Sequence, residues 1–253
     1  MKTITTERKE HTMKNTKRKI FVAALAISLV AIISMGSLAW FSGSDSVKNN
    51  FMVATSTDDQ PEDVFSVDVY EVKPDGTKEQ TGLSYTDVLP GDQLEKKAHV
   101  ANTGYYDQYI RVIVTISDAP AWQAMLGTGF NDTTLLSCFE GFNQSKWNHI
   151  TTEVYNKGTT DNAADDVIRI VMYYNDVLEG DHDSNPGDIT VFTGVNIPSV
   201  MTQTHAVLFD DDSVEGFTID VLAQAVQTEN VVPDGTAAGS EAYAAFGTVG
   251  MTY

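Results

Sequence analysis

Cysteine is nearly missing from this chain: Cys138 is the only one in 253 residues. A lone thiol makes no internal disulfide, so packing rather than covalent staples must hold the fold. In LLSCFEGF it reads as a small buried apolar residue rather than a nucleophile. Positive charge is scarce too. Seven of the 16 basic residues but only two of the 35 acidic ones precede Trp40, which leaves Trp40 to Tyr253 with a formal charge of −24. Such a carboxylate excess repels phosphate backbones and anionic membrane surfaces, and it excludes nucleic acid as a partner. Disorder is excluded by the supply of Val, Ile, Phe, Tyr and Trp, which is enough for a core. Catalytic signatures are absent as well: there is no H-E-x-x-H pair, no Ser-His-Asp order, no P-loop and no dinucleotide fingerprint. The histidines after the leader, His99, His149, His182 and His205, are widely spaced. A non-enzymatic protein without a cofactor is the expectation.

What is present begins with the leader. Lys14, Lys17, Arg18 and Lys19 form a positive cluster, and from Ile20 to Ile33 only Ser28 interrupts an apolar run. That is the basic head and apolar middle of an export signal. Ser37 and Ala39 stand three residues and one residue before a signal-peptidase cut, and Trp40 would become the new N-terminus. Residues 1–39 are thus read as a signal helix, with residues 1–12 upstream of a start at Met13. The 20 residues from Ile20 to Ala39 also match a membrane-spanning helix, so a retained anchor is the alternative. An exported protein of this size without disulfides fits a bacterium that lacks an oxidising folding compartment.

Residues 40–55, WFSGSDSVKNNFMVAT, carry an aromatic pair, a polar spacer and a short apolar strand from Phe51 to Ala54. Trp40, Phe41, Phe51, Met52 and Val53 are large apolar groups that a free tail would leave in water. Residues 56–253 alternate with the period of two that marks half-buried strands. The clearest runs are Val64–Lys73, Leu94–Ala101, Tyr109–Ser117, Val167–Asn175 and Glu215–Thr228; Leu83–Leu89, Ile189–Phe192 and Val200–Phe209 are weaker. Pro74-Asp75-Gly76 and Pro90-Gly91-Asp92 supply turn chemistry. From about 119 to 162 the pattern loosens into an irregular insertion of short strands and loops with a helical turn near Trp122–Leu126, and Gly239–Gly247 suits a terminal helix. The sum is an all-β protein: an antiparallel β-sandwich, jelly-roll or immunoglobulin-like, behind an N-terminal signal helix.

One metal arrangement deserves weighing. Asp181, Asp183, Asn185 and Asp188 in DHDSNPGD offer hard oxygens at alternate positions, as calcium prefers. Pro186 stands where an EF-hand loop has its Gly, and Phe192 where it closes with Glu, so an ordinary acidic turn is the competing account. Asn131 and Asn143 head N-x-Ser/Thr triplets, which matter for glycosylation only on a eukaryotic route.

Three segments resemble one family. The leader followed by WFSGSDSVKNNFMVAT resembles export signals processed by SipW-type signal peptidase. Val88–Gly104 (VLPGDQLEKKAHVANTG) with Tyr109–Val114 (YIRVIV), and Val221–Asn230 (VLAQAVQTEN), are similar to the L-x-P-G-D, N-T-G, Y-x-R-V and A-x-A-x-Q motifs of TasA and camelysin-like proteins. The resemblance leaves Ala119–Phe209 uncovered. It implies an exported matrix or cell-surface protein of a Gram-positive bacterium, with the signal peptidase and other matrix or surface proteins as partners. It also implies self-association into biofilm fibres, each subunit lending its leading strand to the next. A strand that folds back into its own sheet, giving a monomeric adhesion or binding module, is the alternative. Camelysin-like metallopeptidase activity is the third reading.

Overall fold

The alternation of Ile110, Val112, Val114 and Ile116 builds the centre of the molecule, since β-branched side chains fill a pleated, half-buried surface. A computed structural model describes residues 65–80, 82–85, 88–156, 165–181, 186–209, 216–229 and 231–250, and the backbone pairing of 43–44 and 47–49. All of them fall in one unit, Phe41–Tyr253. The strands are β1 (Gly43–Ser44), β2 (Val47–Asn49), β3 (Val67–Val72), β4 (Lys78–Glu79), β5 (Ser84–Tyr85) and β6 (Gln93–Asn102). After them come β7 (Gln108–Ile116), β8 (Phe139–Glu140), β9 (Trp147–Tyr155), β10 (Val167–Tyr174), β11 (Asp188–Asn196) and β12 (Ile219–Gln227). They form an all-β sandwich. The first sheet has the order β2-β12-β7-β10-β9, the second β4-β3-β6-β11-β8, and β1 and β5 make a two-stranded ribbon. Among the described strands every pairing is antiparallel except that of β2 with β12.

Register places the core. Ile110, Val112, Val114 and Ile116 of β7 lie level with Ala225, Ala223, Val221 and Ile219 of β12. All eight are buried. Val67 and Val69 of β3, Ala98 and Val100 of β6, and Val191 and Phe192 of β11 supply the buried side chains of the second sheet. One end is closed by helix α1 (Ala119–Leu126). Its Trp122, 1% exposed, packs edge-on against Phe209 and Phe217 at 5.8 and 5.1 Å between ring centres. Asn131 and Asn143 are caps: their side chains accept from Thr134 N and Ser145 N at the start of helix α2 (Asp132–Ser137) and of a 3-10 turn.

The opposite face of β7 is apolar for a reason the strand pattern does not reveal. Helix α4 (Glu241–Thr248) lies on it, and Ala242, Ala245 and Phe246 pack with Ile113, Val171, Tyr173 and Val226 in a second core. The first sheet is therefore buried on both faces.

Several elements differ from the sequence reading. Trp147–Tyr155 is a nine-residue sheet strand rather than part of an irregular insertion. Asn148 and Thr151 face Tyr173 and Val171, so β9 carries one extra residue there, and His149 sits at φ 44°. That bulge breaks the period of two. Bulges likewise hide the full length of β11, which continues past Phe192 to Asn196. Val200–Phe209 is not a strand: it forms helix α3 (Gln203–Ala206) and a 3-10 turn at Val207–Phe209. Thr202 and His205 hold its start, Thr202 N donating to His205 Nδ1 and His205 N to Thr202 Oγ1. The signal helix, Ser37, Ala39, Trp40, Phe41, Phe51, Met52 and Val53 lie outside the described residues. Among the described residues no helix is long and apolar enough to cross a membrane.

Phe246 is 1% exposed. Truncation to Ala should lower stability by about 3–5 kcal/mol through loss of burial and a residual cavity. Urea unfolding measures it, and a loss below about 1 kcal/mol would show that α4 is not structurally coupled to the sheet.

Candidate functional site

The leading segment is held by both layers of the sandwich. In β1, Gly43 and Ser44 pair with Tyr85 and Ser84 of β5. Tyr85 is in turn anchored to the second sheet, its hydroxyl donating to Glu95 O of β6 at 2.6 Å. Two residues further on, β2 joins the first sheet instead: Val47, Lys48 and Asn49 run parallel to Val221, Leu222 and Ala223 of β12. Strands β1 and β2 therefore link this segment to β5 and to the first sheet. Strand β2 covers three of the nine residues of β12, so among the described strands the outer edge from Gln224 to Gln227 is unpaired. An uncovered edge is a row of amides and carbonyls ready for another strand.

The inner face of the second sheet carries charge. Glu71 of β3 and Lys96 of β6 form an ion pair with side chains 1% and 3% exposed. Level with Glu71 is Glu79 of β4, which pairs with Lys73 at 2.6 Å nearer the solvent. Burial pushes the Glu71 carboxyl up to about 7, against a backbone hydrogen bond from Leu83 and with a further push from Glu79. Burial pulls the Lys96 ammonium down to about 7, opposed by the charge of Asp220 on β12. One carboxylate oxygen, Glu71 Oε2, is buried with no hydrogen-bond partner among the described residues. A sandwich interior gains nothing in stability from such a pair, because dehydrating two ions offsets their attraction.

Other polar groups hold the frame. Asn102, fully buried, donates from Nδ2 to Tyr106 O and Leu178 O and accepts at Oδ1 from Gly104 N and Gln108 Nε2. Gln108 Nε2 also reaches Ser66 O at 2.9 Å. Gly104 has to be glycine, since a Cβ there would lie 2.6 Å from Ser66 N. At the Pro-Gly-Asp turn, Asp92 Oδ2 accepts from Leu89 N, and Gly91 N and Ile197 N donate to Ile197 O and Asp92 O. Arg111 faces away from the sandwich interior, yet it is 1% exposed because α4 covers it. It donates from Nε and Nη2 to Gln224 Oε1 and lies 4.5 Å from the Phe246 ring centre. Sequence reasoning missed Asn102, Gln108 and Arg111 as buried polar anchors; the short N-T-G and Y-x-R-V motifs were the only signal for Asn102 and Arg111, and Gln108 had none.

Of the four calcium candidates only Asp181 and Asp188 are among the described residues. Asp188 opens β11 with its carboxylate engaged, accepting from the Tyr70 hydroxyl and bonded to His99 Nδ1 at 2.9 Å. Asp181 donates its backbone N–H to Gly104 O. Asp183, Asn185 and His182 lie outside the described residues. His149 stacks on Tyr243 with 3.8 Å between ring centres, and His205 serves the turn at Thr202. Among the described residues no group of three or more His, Cys, Asp or Glu is placed to hold a metal ion. Cys138 is buried, and burial raises its thiol to about 11, which keeps it protonated and unreactive at neutral pH.

No family model, no curated protein and no solved structure matches this chain.

Removing one member of the buried pair, as in Lys96→Met, should cost about 3–5 kcal/mol, whereas Glu71→Leu with Lys96→Met should be neutral or stabilising. Thermal unfolding of the two variants checks this. A double variant as unstable as the single one would mean that the pair itself contributes stability.

Proposed function

We propose that the protein is an exported structural subunit of an extracellular matrix, and that it assembles into fibres by exchange of its leading strand. The observation that carries the reading is the three-residue parallel seat of β2 on β12. In a single copy that strand completes its own sheet. The same contacts made on a neighbouring copy join molecules head to tail, and a head-to-tail contact propagates as a filament unless it closes into a ring. A donor strand that continued the β2 register would bring Phe51 level with Ala225 and Val53 level with Gln227. Ala223 and Ala225 are small side chains buried on the inner face. Export as a cleaved protein, with the cut after Ala39, rests on the Ser37-x-Ala39 spacing and the basic, apolar leader. The high negative charge suits a protein that must stay dispersed until it assembles. The resemblance to TasA and camelysin-like proteins points the same way.

A monomeric surface module is the second reading. The pairing of β2 with its own chain favours it, since a closed copy needs no partner.

Protein recovered from culture medium should begin at Trp40 and form fibres in electron micrographs. A form lacking Trp40–Thr55 should stay dispersed. A start before Ser37, recovery only with membranes, or fibres unaffected by the deletion would overturn the reading.

A further inference from the structure

The inner face of a sandwich is ordinarily apolar, because a buried charge loses its hydration. Glu71 and Lys96 depart from that rule together. Register sets Ala98 of β6 level with Glu71 of β3, and Lys96 stands two residues along on the same face, so the two side chains rise from neighbouring strands towards each other. Their side chains are 1% and 3% exposed, and Lys96 Nζ touches Glu71 Oε1, one bond from the carboxyl carbon. The other oxygen, Glu71 Oε2, is buried with no hydrogen-bond partner among the described residues. The Leu83 N–H bonds the same carboxyl, and Glu79 of β4 lies level with Glu71. As ions the two groups add nothing to stability. An amine held against a carboxyl in a dry interior is, however, the arrangement from which an amide forms. A fixed contact replaces a collision, and the water that would reverse the reaction is kept out.

We infer that Glu71 and Lys96 are the site of a spontaneous covalent cross-link, an isopeptide bond between strands β3 and β6. One proton passes from Nζ to the carboxylate, which leaves a neutral amine beside a neutral acid. Burial favours that uncharged pair, since it pushes the Glu71 carboxyl up and pulls the Lys96 ammonium down, each to about 7. Nζ then attacks Cδ. A C–N bond forms, the nitrogen gives a second proton to the departing hydroxyl, the C–O bond breaks and one water leaves. The Leu83 N–H donates to the carboxyl on which negative charge develops as the nitrogen adds. No oxidant, nucleotide or other reagent is consumed. The amide carries no charge, so the cost of dehydrating two ions disappears. It closes a loop around residues 72–95, and a cross-link of this kind restricts the unfolded chain. In a chain whose one cysteine is Cys138, it supplies the covalent staple that disulfide chemistry cannot.

Freshly folded protein carries the ions, and the linked form accumulates on standing. Intact-mass spectrometry of the purified full chain, fresh and after standing at neutral pH, tests this. A species lighter by one water should grow in, and its protease digest should contain a branched peptide that joins Glu71 to Lys96. The midpoint of thermal unfolding should rise over the same period. Neither change should occur in Glu71→Leu with Lys96→Met, which keeps the site filled with apolar groups. Water lost at an Asp-Gly step such as Asp75-Gly76 would persist in that variant and give no branch. An aged chain that keeps its full mass, or a loss of water without the Glu71–Lys96 branch, overturns the proposal.

Discussion

Backbone amides at a sheet edge must find partners, and the account of this molecule turns on where one edge finds them. Strand β12 is central to the core through Val221, Ala223 and Ala225, yet among the described strands its outer edge is covered only by the three residues of β2. Three residues of parallel pairing are weak by themselves, since parallel ladders are slightly less stable per residue than antiparallel ones. The ribbon of β1 with β5 reinforces them by holding the same segment to the second sheet. Releasing so short a pairing would break few backbone hydrogen bonds, which is what the proposed exchange requires.

The rest of the described sandwich is braced from several sides. Burial on both faces fixes the first sheet, with the valine and isoleucine core on one side and α4 on the other. Arg111 ties β7 to β12 through Gln224 under the Phe246 ring, so the strand that receives β2 is itself braced from behind. At the far end Asn102 and Gln108 satisfy the carbonyls of three separate loops with two side chains. Buried polar groups bonded in this way specify one arrangement, and the unsatisfied buried oxygens among the described residues include both Gln108 Oε1 and Glu71 Oε2.

How much of this was legible in the sequence depended on whether the local period survived. Strands β7 and β12 alternate and β10 is a run of β-branched and aromatic residues, and the all-β sandwich followed from them. Strand β9 escaped because the extra residue at His149 turns its second half over, so Trp147 and Ile150 do not read as one face. Val200–Phe209 is apolar enough for a strand, but the reciprocal bonds of Thr202 and His205 nucleate a helical turn instead. Alternation puts Arg111 on the side away from the sandwich interior, yet its burial depends on a helix 130 residues later, which no local pattern conveys. The site was less legible than the fold. An ion pair between Glu71 and Lys96 needs the pairing of β3 with β6, and in a chain with 35 acidic residues neither partner stands out. The aromatic and apolar residues of the leader were visible as groups in need of cover, but not the edge that receives Val47.

The central claim is that the β2 seat can be filled by a second copy. A cysteine pair at Val47→Cys and Val221→Cys, positions level with each other in the parallel pairing, traps whichever chain occupies it. After assembly and mild oxidation, a denaturing gel should show a ladder of covalently linked chains. A single cross-linked monomer band from protein that had assembled would contradict the account.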